Sequence, residues 1–209
     1  MFTVGLVQEN CFVLRRDGAD EALIVDPGDE APRILQAVDE LGLKIAGILV
    51  THCHFDHVGA VAPVARATGA PVWVSEIERP VLADIMSYVP FAGFGPYESY
   101  EADHTLEGGE TLALAGFEID VLFTPGHSPG HLTYSLPGEQ AIFSGDVLFQ
   151  GSVGRVDLPG GDWPTLLASI ESLLSTYPDE TTVYPGHMGL TTLGRERATN
   201  PFLSELAER

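Results

Sequence analysis

The chain has 209 residues, 44% of them hydrophobic, which suffices for a full core in one domain or in two small fused halves. It carries 30 acidic and 10 basic residues, and Lys44 is its only lysine, so the formal net charge of −20 would repel a polyanion such as DNA or RNA. The chain has no apolar run of membrane-spanning length and no signal-peptide layout at its start, so we expect a cytoplasmic protein that binds neither membrane nor nucleic acid.

The first half of the sequence alternates predicted strands with predicted helices. Alternating residues and β-formers indicate the strands, and apolar residues at helical spacing indicate the helices. In chain order, the predictions are strands over 2–16 and 22–25 joined by a turn at 16–18, a helix over 30–43, a strand over 45–50, a helix over 58–66, a strand over 71–74 and a helix over 76–86.

The segment Tyr88–Tyr100, here called the aromatic segment, separates the two halves. It holds Phe91, Phe94 and Tyr97 among prolines and glycines. This composition disfavours regular structure and is too aromatic for a free linker. It predicts either a loop packed on the core or a wall of a substrate pocket.

The second half repeats the order of the first, with strands before helices. The predictions are strands over 111–114, 117–123, 132–136 and 141–143, a helix over 162–177, a strand over 181–184 and a short helix over 195–209. This order predicts an α/β fold of the αββα sandwich type. We expect one domain over 1–209 that is made of two related halves.

One short stretch, Thr51–His57, concentrates ligand-type side chains. It lies between a predicted buried strand and a predicted helix, at a turn where α/β folds place functional residues. Its three imidazoles and one carboxylate belong to His52, His54, His57 and Asp56.

Three further fragments each place one ligand-type side chain just after a predicted strand and directly after a glycine. These side chains are His127, Asp146 and His187. Five of the seven histidines of the chain therefore stand at strand ends, a concentration that random scatter does not produce. Imidazole and carboxylate are the groups that bind zinc, iron and manganese.

Five histidines and two aspartates are too many ligands for one catalytic ion, which needs an open position. The set suits two ions that share a bridging carboxylate, about 3.5–4 Å apart in such sites. His52 and His54 are two residues apart and can point the same way on extended backbone, whereas Asp56 and His57 point apart unless the turn rotates them. We therefore predict a centre of two divalent metal ions.

These residues resemble the metallo-β-lactamase superfamily in type, order and spacing over nearly the whole chain. The resemblance implies the four-layer αββα metallo-β-lactamase sandwich. It also implies that one metal is held by His52, His54 and His127, the other by Asp56, His57 and His187, and that Asp146 bridges them. Asp26 matches an acidic residue that supports the ligands without binding metal; its alternative interpretation is an Asp-Pro-Gly turn.

Within the superfamily, the segments Thr124–His131 and Phe143–Phe149 resemble glyoxalase II, the hydroxyacylglutathione hydrolases. In that family a basic residue at the place of Arg155 helps to hold glutathione. The sequence ends about twenty residues after His187, so we expect it to lack the helical C-terminal domain of the typical enzyme. Gly189 also stands where that enzyme has a tyrosine, so another small thiol or a different ester stays open.

The resemblance leaves rival functions. Persulfide dioxygenases share much of the pattern and bind one iron, although the pair Gly130-His131 favours the glyoxalase side. A lactonase is a further alternative. A true β-lactamase with this motif usually lacks the bridging aspartate and is exported, which points away from that activity. The intact ligand set argues against a binding or structural module without catalysis.

The expected reaction is hydrolysis of a thioester, S-2-hydroxyacylglutathione or a similar small molecule, by a hydroxide that bridges the metals. Two cations lower the pKa of a shared water from about 16 towards 7. Asp56 is predicted to act in catalysis, both as a ligand and as the group that orients this water. We expect zinc, with iron or manganese as alternatives, and a monomer or a homodimer.

Three residues near the motifs have other expected roles. Cys53 is predicted to be a packed thiol, and with Cys11 it makes no disulfide framework. His131 is predicted to form structural hydrogen bonds near the site rather than bind metal. His104 lies in an exposed-looking turn and is given no role.

Overall fold

Two six-stranded sheets stack face to face, and each carries helices on its outer side. The computed structural model describes residues 1–203 of the chain. Within these residues no helix has the length and apolar character needed to cross a bilayer; α5, defined below, is the longest with 14 residues.

The first sheet combines an antiparallel edge with a parallel body. Its strands, in spatial order, are β1 (Phe2–Val4), β2 (Glu9–Arg15), β3 (Glu21–Val25), β4 (Lys44–Leu49), β5 (Val72–Ser75) and β6 (His104–Leu106). The strands from β3 to β6 run parallel, so helices make the crossovers between the earlier of them. These helices are α1 (Ala31–Glu40), α2 (Phe55–Val58) and α3 (Val61–Thr68), and α4 (Arg79–Ala83) follows β5.

The second sheet is mostly antiparallel, with one parallel pair between β10 and β13. Its spatial order is β14-β13-β10-β9-β8-β7. The strands are β7 (Thr111–Leu114), β8 (Phe117–Phe123), β9 (Leu132–Leu136), β10 (Ala141–Gly145), β13 (Thr182–Pro185) and β14 (Thr191–Thr192), with a separate ribbon of β11 (Leu148–Phe149) and β12 (Ser152–Val153). Helices α5 (Trp163–Thr176) and α6 (Leu193–Thr199) belong to this half.

Three hydrophobic clusters fill the spaces between these layers. One lies between the helices of the first half and the first sheet, and includes Ile34, Val64 and Ile48. A second lies between the sheets, around Leu23, Ile119 and Tyr134. A third joins α5 to the second sheet. The predicted αββα sandwich is thereby confirmed, whereas the expectation of one domain over 1–209 stays a prediction.

The first predicted strand, 2–16, was wrong as a single element. The chain turns between β1 and β2, and both Gly5 and Gln8 adopt positive φ there, at 67° and 59°. The turn folds β1 back against β2 as an antiparallel pair.

Other predicted elements differ in extent. The helix predicted over 58–66 is divided into α2 and α3. The helix predicted over 76–86 shortens to α4, followed by a 3₁₀ turn at Ile85–Ser87. It ends there because Asp84 leaves the helical conformation, with a φ of −142°. The helix predicted over 195–209 begins earlier, at Leu193, and ends at Thr199, before a 3₁₀ turn at Pro201–Leu203; the rest of the prediction lies outside the described residues.

The turn predicted at His104 was wrong, although the residue is exposed as expected. This residue begins β6 and its ring stacks on Trp73, with 4.6 Å between the ring centroids. A three-residue strand whose first two side chains are exposed has no alternation that a sequence pattern could detect.

The site residues lie where strands of both sheets end. Thr51–His57 follows β4, Asp26 follows β3, and His127, Asp146 and His187 follow β8, β10 and β13 respectively. A hydrogen bond from the Tyr134 hydroxyl to the Val50 carbonyl, 2.8 Å long, links the two sheets near these ends. The fold therefore gathers the ligand-type residues at one edge of the sandwich.

Asn10 fixes the loop that carries His187. Its side-chain amide donates to the carbonyls of Pro185 (3.1 Å) and Met188 (2.9 Å), and its backbone N–H donates to the carbonyl of Gly186 (2.7 Å). Asn10 is 2% exposed, and Met188 adopts a positive φ of 68°. These three hydrogen bonds clamp a strained loop on both sides of His187.

Replacing Asn10 by Asp should destabilise the chain, because a carboxylate cannot donate to two buried carbonyls. We expect the free energy of unfolding to fall by about 1–3 kcal/mol for each carbonyl left without a partner. Chemical denaturation measures this change. Thr3→Val is the control, since it removes only the bond that the hydroxyl donates to Asn10 Oδ1. Equal stability of the Asn10→Asp variant and the wild type would contradict the clamp.

Candidate metal centre

The seven predicted metal ligands come together: six of them divide into two groups of three, and Asp146 groups with His52 and His57, one member of each. In each group the ligand atoms lie within 4.8 Å of one another. The first group is His52, His54 and His127, and the second is Asp56, His57 and His187. This division matches the one that the resemblance implies, while the assignment of each residue to an ion stays a prediction.

The first group is a triangle of imidazole nitrogens. His54 Nδ1 lies 2.8 Å from His127 Nε2 and 3.1 Å from His52 Nε2, and the last two atoms are 3.1 Å apart. Burial lowers the pKa of His52 well below its ordinary value and that of His54 to about 4. Both rings are therefore neutral at pH 7.

Hydrogen bonds on the far side of these rings fix their tautomers. His127 Nδ1 donates to the Arg155 carbonyl at 2.7 Å, so neutral His127 carries no proton on Nε2. The Thr51 hydroxyl gives its proton to Asp26 at 2.6 Å and must accept from His52 Nδ1 at 3.1 Å, so Nε2 of His52 is also bare. Two bare nitrogens 3.1 Å apart cannot hydrogen-bond to each other, but they can share a cation.

The second group faces the first across Asp146. Asp56 Oδ2 lies 3.2 Å from His187 Nε2 and 3.9 Å from His57 Nε2. Asp146 Oδ1 lies 3.3 Å from His57 Nε2, and its Oδ2 lies 3.4 Å from His127 Nε2. One carboxylate thus reaches a member of each group.

Two buried atoms at this point lack hydrogen-bond partners among the described residues. They are His57 Nε2 and Asp146 Oδ1. A buried polar atom without a partner is costly, and both atoms are of types that bind divalent metals. The donor set therefore fits a metal centre.

Electrostatics also favour positive charge here. Burial lowers the pKa of His57, but the carboxylates of Asp146, Asp26 and Asp56 outweigh it and raise the pKa well above its ordinary value. Burial raises the pKa of Asp146, but His57 and His187 outweigh it and hold this carboxyl ionised. The carboxylates that favour the protonated, positively charged form of His57 would favour a bound divalent cation for the same electrostatic reason.

Asp26 lies behind the ligand-type side chains and forms hydrogen bonds towards both groups, while its supporting role stays a prediction. It accepts from the Thr51 N–H at 2.7 Å, from the Thr51 hydroxyl and from His57 Nδ1 at 2.9 Å. It is 2% exposed and has a positive φ of 48°. These hydrogen bonds orient His57 directly and His52 through Thr51.

His131 positions Asp146. Its Nε2 accepts from the Asp146 backbone N–H at 3.0 Å, and its ring stacks on His52 with centroids 4.9 Å apart. Gly145 permits this approach, because a Cβ there would lie 2.6 Å from His131 Nε2 and 2.5 Å from the Thr51 hydroxyl. The hydrogen bond of His131 to Asp146 and its buried position agree with the structural role predicted for this residue.

Two buried glutamates were missed by the sequence reasoning. Glu78 accepts from the Ser128 hydroxyl (2.7 Å), the Gly130 N–H (2.9 Å) and the Cys53 N–H (3.3 Å), and so ties the first motif to the loop after His127. Glu9 is fully buried beside Asp26 and His57, and burial raises its pKa well above the ordinary value. Neither stands in a motif, so no sequence pattern marks them.

Cys53 and Cys11 are free, buried thiols. Burial raises the pKa of Cys53 well above its ordinary value, so the thiol stays protonated and unreactive. This agrees with the packed thiol predicted for Cys53.

A cleft of 310 Å³, here called the central cleft, opens over the ligand cluster. The aromatic segment contributes Pro90 and Phe91 to its wall, while Phe94 and Tyr97 pack on the core around Phe55. This segment is therefore both a packed loop and a wall of the cleft. The remaining walls come from Val7, Phe149, Ser152, Val153, Arg155, Leu158 and Met188.

Arg155 is the only arginine or lysine among the residues that line the central cleft. Its guanidinium is already engaged by Asp157, through two hydrogen bonds of 2.6 and 2.7 Å. A substrate anion would have to compete with this carboxylate. The predicted substrate contact therefore stays a prediction.

Comparison with known proteins places the chain in a family. The model of the metallo-β-lactamase superfamily matches residues 4–187. The "probable metallo-hydrolase YqgX" of Bacillus subtilis is 42% identical over 96% of this chain and 95% of its own length. The hydroxyacylglutathione hydrolase GloC of Haemophilus influenzae is 37% identical over 94% of this chain and 93% of its own length.

Solved structures agree with this result. The BLEG-1 B3 metallo-β-lactamase superposes with a TM-score of 0.91 at 41% identity, covering 97% of each chain. TTHA1623, in a di-iron-bound form, superposes with a TM-score of 0.79 at 42% identity, covering 97% of this chain and 98% of its own. With its sandwich fold and its cluster of histidines and aspartates at the strand ends, the chain belongs to the metallo-β-lactamase superfamily of metallohydrolases.

Proposed function

We propose that this chain is a hydrolase with two divalent metal ions that cleaves a thioester, S-2-hydroxyacylglutathione or a similar ester of a small thiol. The observation that carries the proposal is the position of Asp146, which lies 3.3 Å from His57 Nε2 and 3.4 Å from His127 Nε2. A carboxylate between two ligand groups favours two ions over one. The 37% identity to GloC supports the thioester.

The ligands divide between the ions as the geometry of the two groups suggests. The residues that would hold the ions are His52, His54 and His127 for one, Asp56, His57 and His187 for the other, and Asp146 for both. We assign zinc, which suits imidazole and carboxylate ligands. The di-iron form of TTHA1623 makes iron the first alternative.

Divalent ions there supply Lewis acidity, which ionises water near neutral pH and polarises a carbonyl oxygen. The residues of the chain orient the water, hold the ligands and contact the substrate. Asp56 lines the central cleft and orients the attacking water with its carboxylate. Asp26 and His131 keep the ligands in place, and Arg155 contacts the thiol part of the substrate. No serine or cysteine nucleophile is needed.

Hydrolysis of a β-lactam is the second candidate, favoured by the 41% identity to BLEG-1. The bridging position of Asp146 counts against it, because lactamases with this motif usually lack that carboxylate. Oxidation of a persulfide at one iron and hydrolysis of a lactone remain as alternatives from the same superfamily.

One set of measurements on a single preparation separates these functions. Metal content is determined together with hydrolysis of S-lactoylglutathione, of a chromogenic cephalosporin and of a lactone, and with oxygen uptake on glutathione persulfide. Two ions per chain with thioester hydrolysis as the fastest reaction is the expected result. One iron with oxygen uptake, or faster cleavage of the cephalosporin or the lactone, would overturn the proposal.

Replacing Asp146 by Asn should remove the shared charge while keeping the shape. We expect metal content to drop below two ions per chain and kcat/KM to fall by at least about a hundredfold, since even residues that only support metal ligands contribute about 10–100-fold. Elemental analysis and thioester kinetics measure both. Asp39→Asn, on the exposed face of α1, is the matched control. Full metal content and full activity in Asp146→Asn would show that Asp146 is not the bridge.

Replacing Gly186 by Ala should disturb the centre by crowding alone. A Cβ there would lie 2.3 Å from Asp146 Oδ1 and 2.6 Å from His57 Cε1. We expect weaker metal retention during dialysis against a chelator, with an unchanged circular dichroism spectrum. Gly138→Ala is the control, because nothing lies within 4 Å of a Cβ at that position. Retention equal to that of the control would refute the predicted crowding.

Replacing Arg155 by Ala should raise KM for S-lactoylglutathione about three- to fivefold, the range for one exposed charge pair, with a smaller change in kcat. Steady-state kinetics measure both constants. Arg195→Ala removes another exposed arginine and serves as the control. An unchanged KM would show that Arg155 does not contact the substrate.

A further inference from the structure

A second recess, here called the apolar groove, extends from His54 away from the other ligands. It has a volume of 380 Å³, and its apolar walls are Ile77, Val81, Tyr88, Val89, Pro129 and Leu158. Pro90 and Leu158 line both the groove and the central cleft, so the two spaces adjoin. The groove therefore leads to the ligand cluster, yet the chemistry proposed above does not use it.

Large apolar side chains stand exposed in this groove. Ile77 is 54% exposed and Tyr88 is 53% exposed. Exposed apolar side chains that cluster beside a polar site indicate a binding surface, whereas scattered ones do not. Ligand pockets typically combine such walls with a few polar groups at one end, and here His54 stands at that end.

Glu78 is the only acidic or basic side chain, apart from His54, among the residues that line the groove. Its carboxylate accepts hydrogen bonds from Ser128, Gly130 and Cys53, all from within the protein. It is 4% exposed, so an apolar ligand in the groove would remove little water from it. The groove can therefore be filled by an apolar group without leaving a charge unsolvated.

The recess on the other side of the central cleft combines apolar walls, among them Leu35, Phe94 and Tyr97, with acidic side chains. It has a volume of 540 Å³, adjoins Asp56 and is lined by the carboxylates of Asp29, Glu30 and Glu98. An apolar chain there would strip water from carboxylates at a cost. The apolar groove is therefore the more favourable place for an apolar part of a substrate, because its one carboxylate is buried and has partners within the protein.

We propose that the apolar groove binds the acyl group of the substrate, and that among thioesters those with an unbranched apolar acyl chain are preferred over those with a short one. The inference rests on the thioester hydrolysis proposed above and names its substrate class. With the chain in the groove, the scissile carbonyl comes to lie in the central cleft, and the thiol points away from the groove.

The test compares acyl chains on one thiol. The acetyl and hexanoyl thioesters of N-acetylcysteamine share an uncharged thiol, so only the acyl length differs. We expect kcat/KM to be at least about tenfold higher for the hexanoyl ester, because each methylene added in an apolar pocket improves binding. Equal values within about twofold would overturn the proposal.

A substitution in the groove wall locates the effect. Ile77→Asp should raise KM for the hexanoyl ester about tenfold and leave that for the acetyl ester unchanged. Leu41→Asp is the matched control, because Leu41 is 56% exposed and lies at the end of α1, outside all three recesses. If Ile77→Asp behaves like Leu41→Asp, the preference for a long chain does not come from this groove, and the proposal fails.

A binding measurement separates the two proposals. The S-hexyl thioether of N-acetylcysteamine lacks the thioester carbonyl, so a thioesterase cannot cleave it, and calorimetry measures its binding to the metal-loaded protein. Weaker binding to Ile77→Asp, together with the long-chain preference, supports the groove as the acyl site. The same weaker binding without hydrolysis of any thioester supports an apolar-chain site but refutes the thioesterase function. Equal binding to both proteins refutes the groove.

Discussion

The structure depends on a balance of charge at one buried edge of the sandwich. Asp26, Asp56 and Asp146 lie there with the side chains of five histidines. Ionised carboxylates are costly in such surroundings unless positive charge faces them. His52 and His54 cannot supply it, because burial keeps both rings neutral. Divalent metals, which this superfamily binds, would supply the positive charge that these carboxylates need. The fold is arranged around this need for positive charge.

Much of this arrangement could be predicted from the sequence because it is local. The ligand-type residues directly follow apolar strand segments and glycines, so their place at strand ends was evident from neighbouring residues alone. Two parallel strands such as β3 and β4 carry their carboxyl ends to the same edge. The clustering of Asp26 with Thr51–His57, which follow these two strands, agrees with that rule.

The residues that hold the ligands in place could not be found in this way. Asn10 bonds to carbonyls 175 and 178 positions away, and Glu78 bonds to Ser128 across 50 positions. The sequence does not distinguish a buried asparagine or glutamate from an exposed one, because burial is determined only by the folded chain. Short strand β6 was missed for a related reason, since its place beside Trp73 depends on the sheet and not on its own three residues.

The hydrogen bonds of Asp26 have a consequence for how the centre assembles. The Asp26 carboxylate accepts from His57 Nδ1 directly, and it acts on His52 Nδ1 through the Thr51 hydroxyl. In both rings it therefore favours a proton on Nδ1. The two rings belong to different ligand groups. Loss of this one carboxylate would therefore free one ring of each ligand group at once, so the two groups are coupled through a residue that belongs to neither.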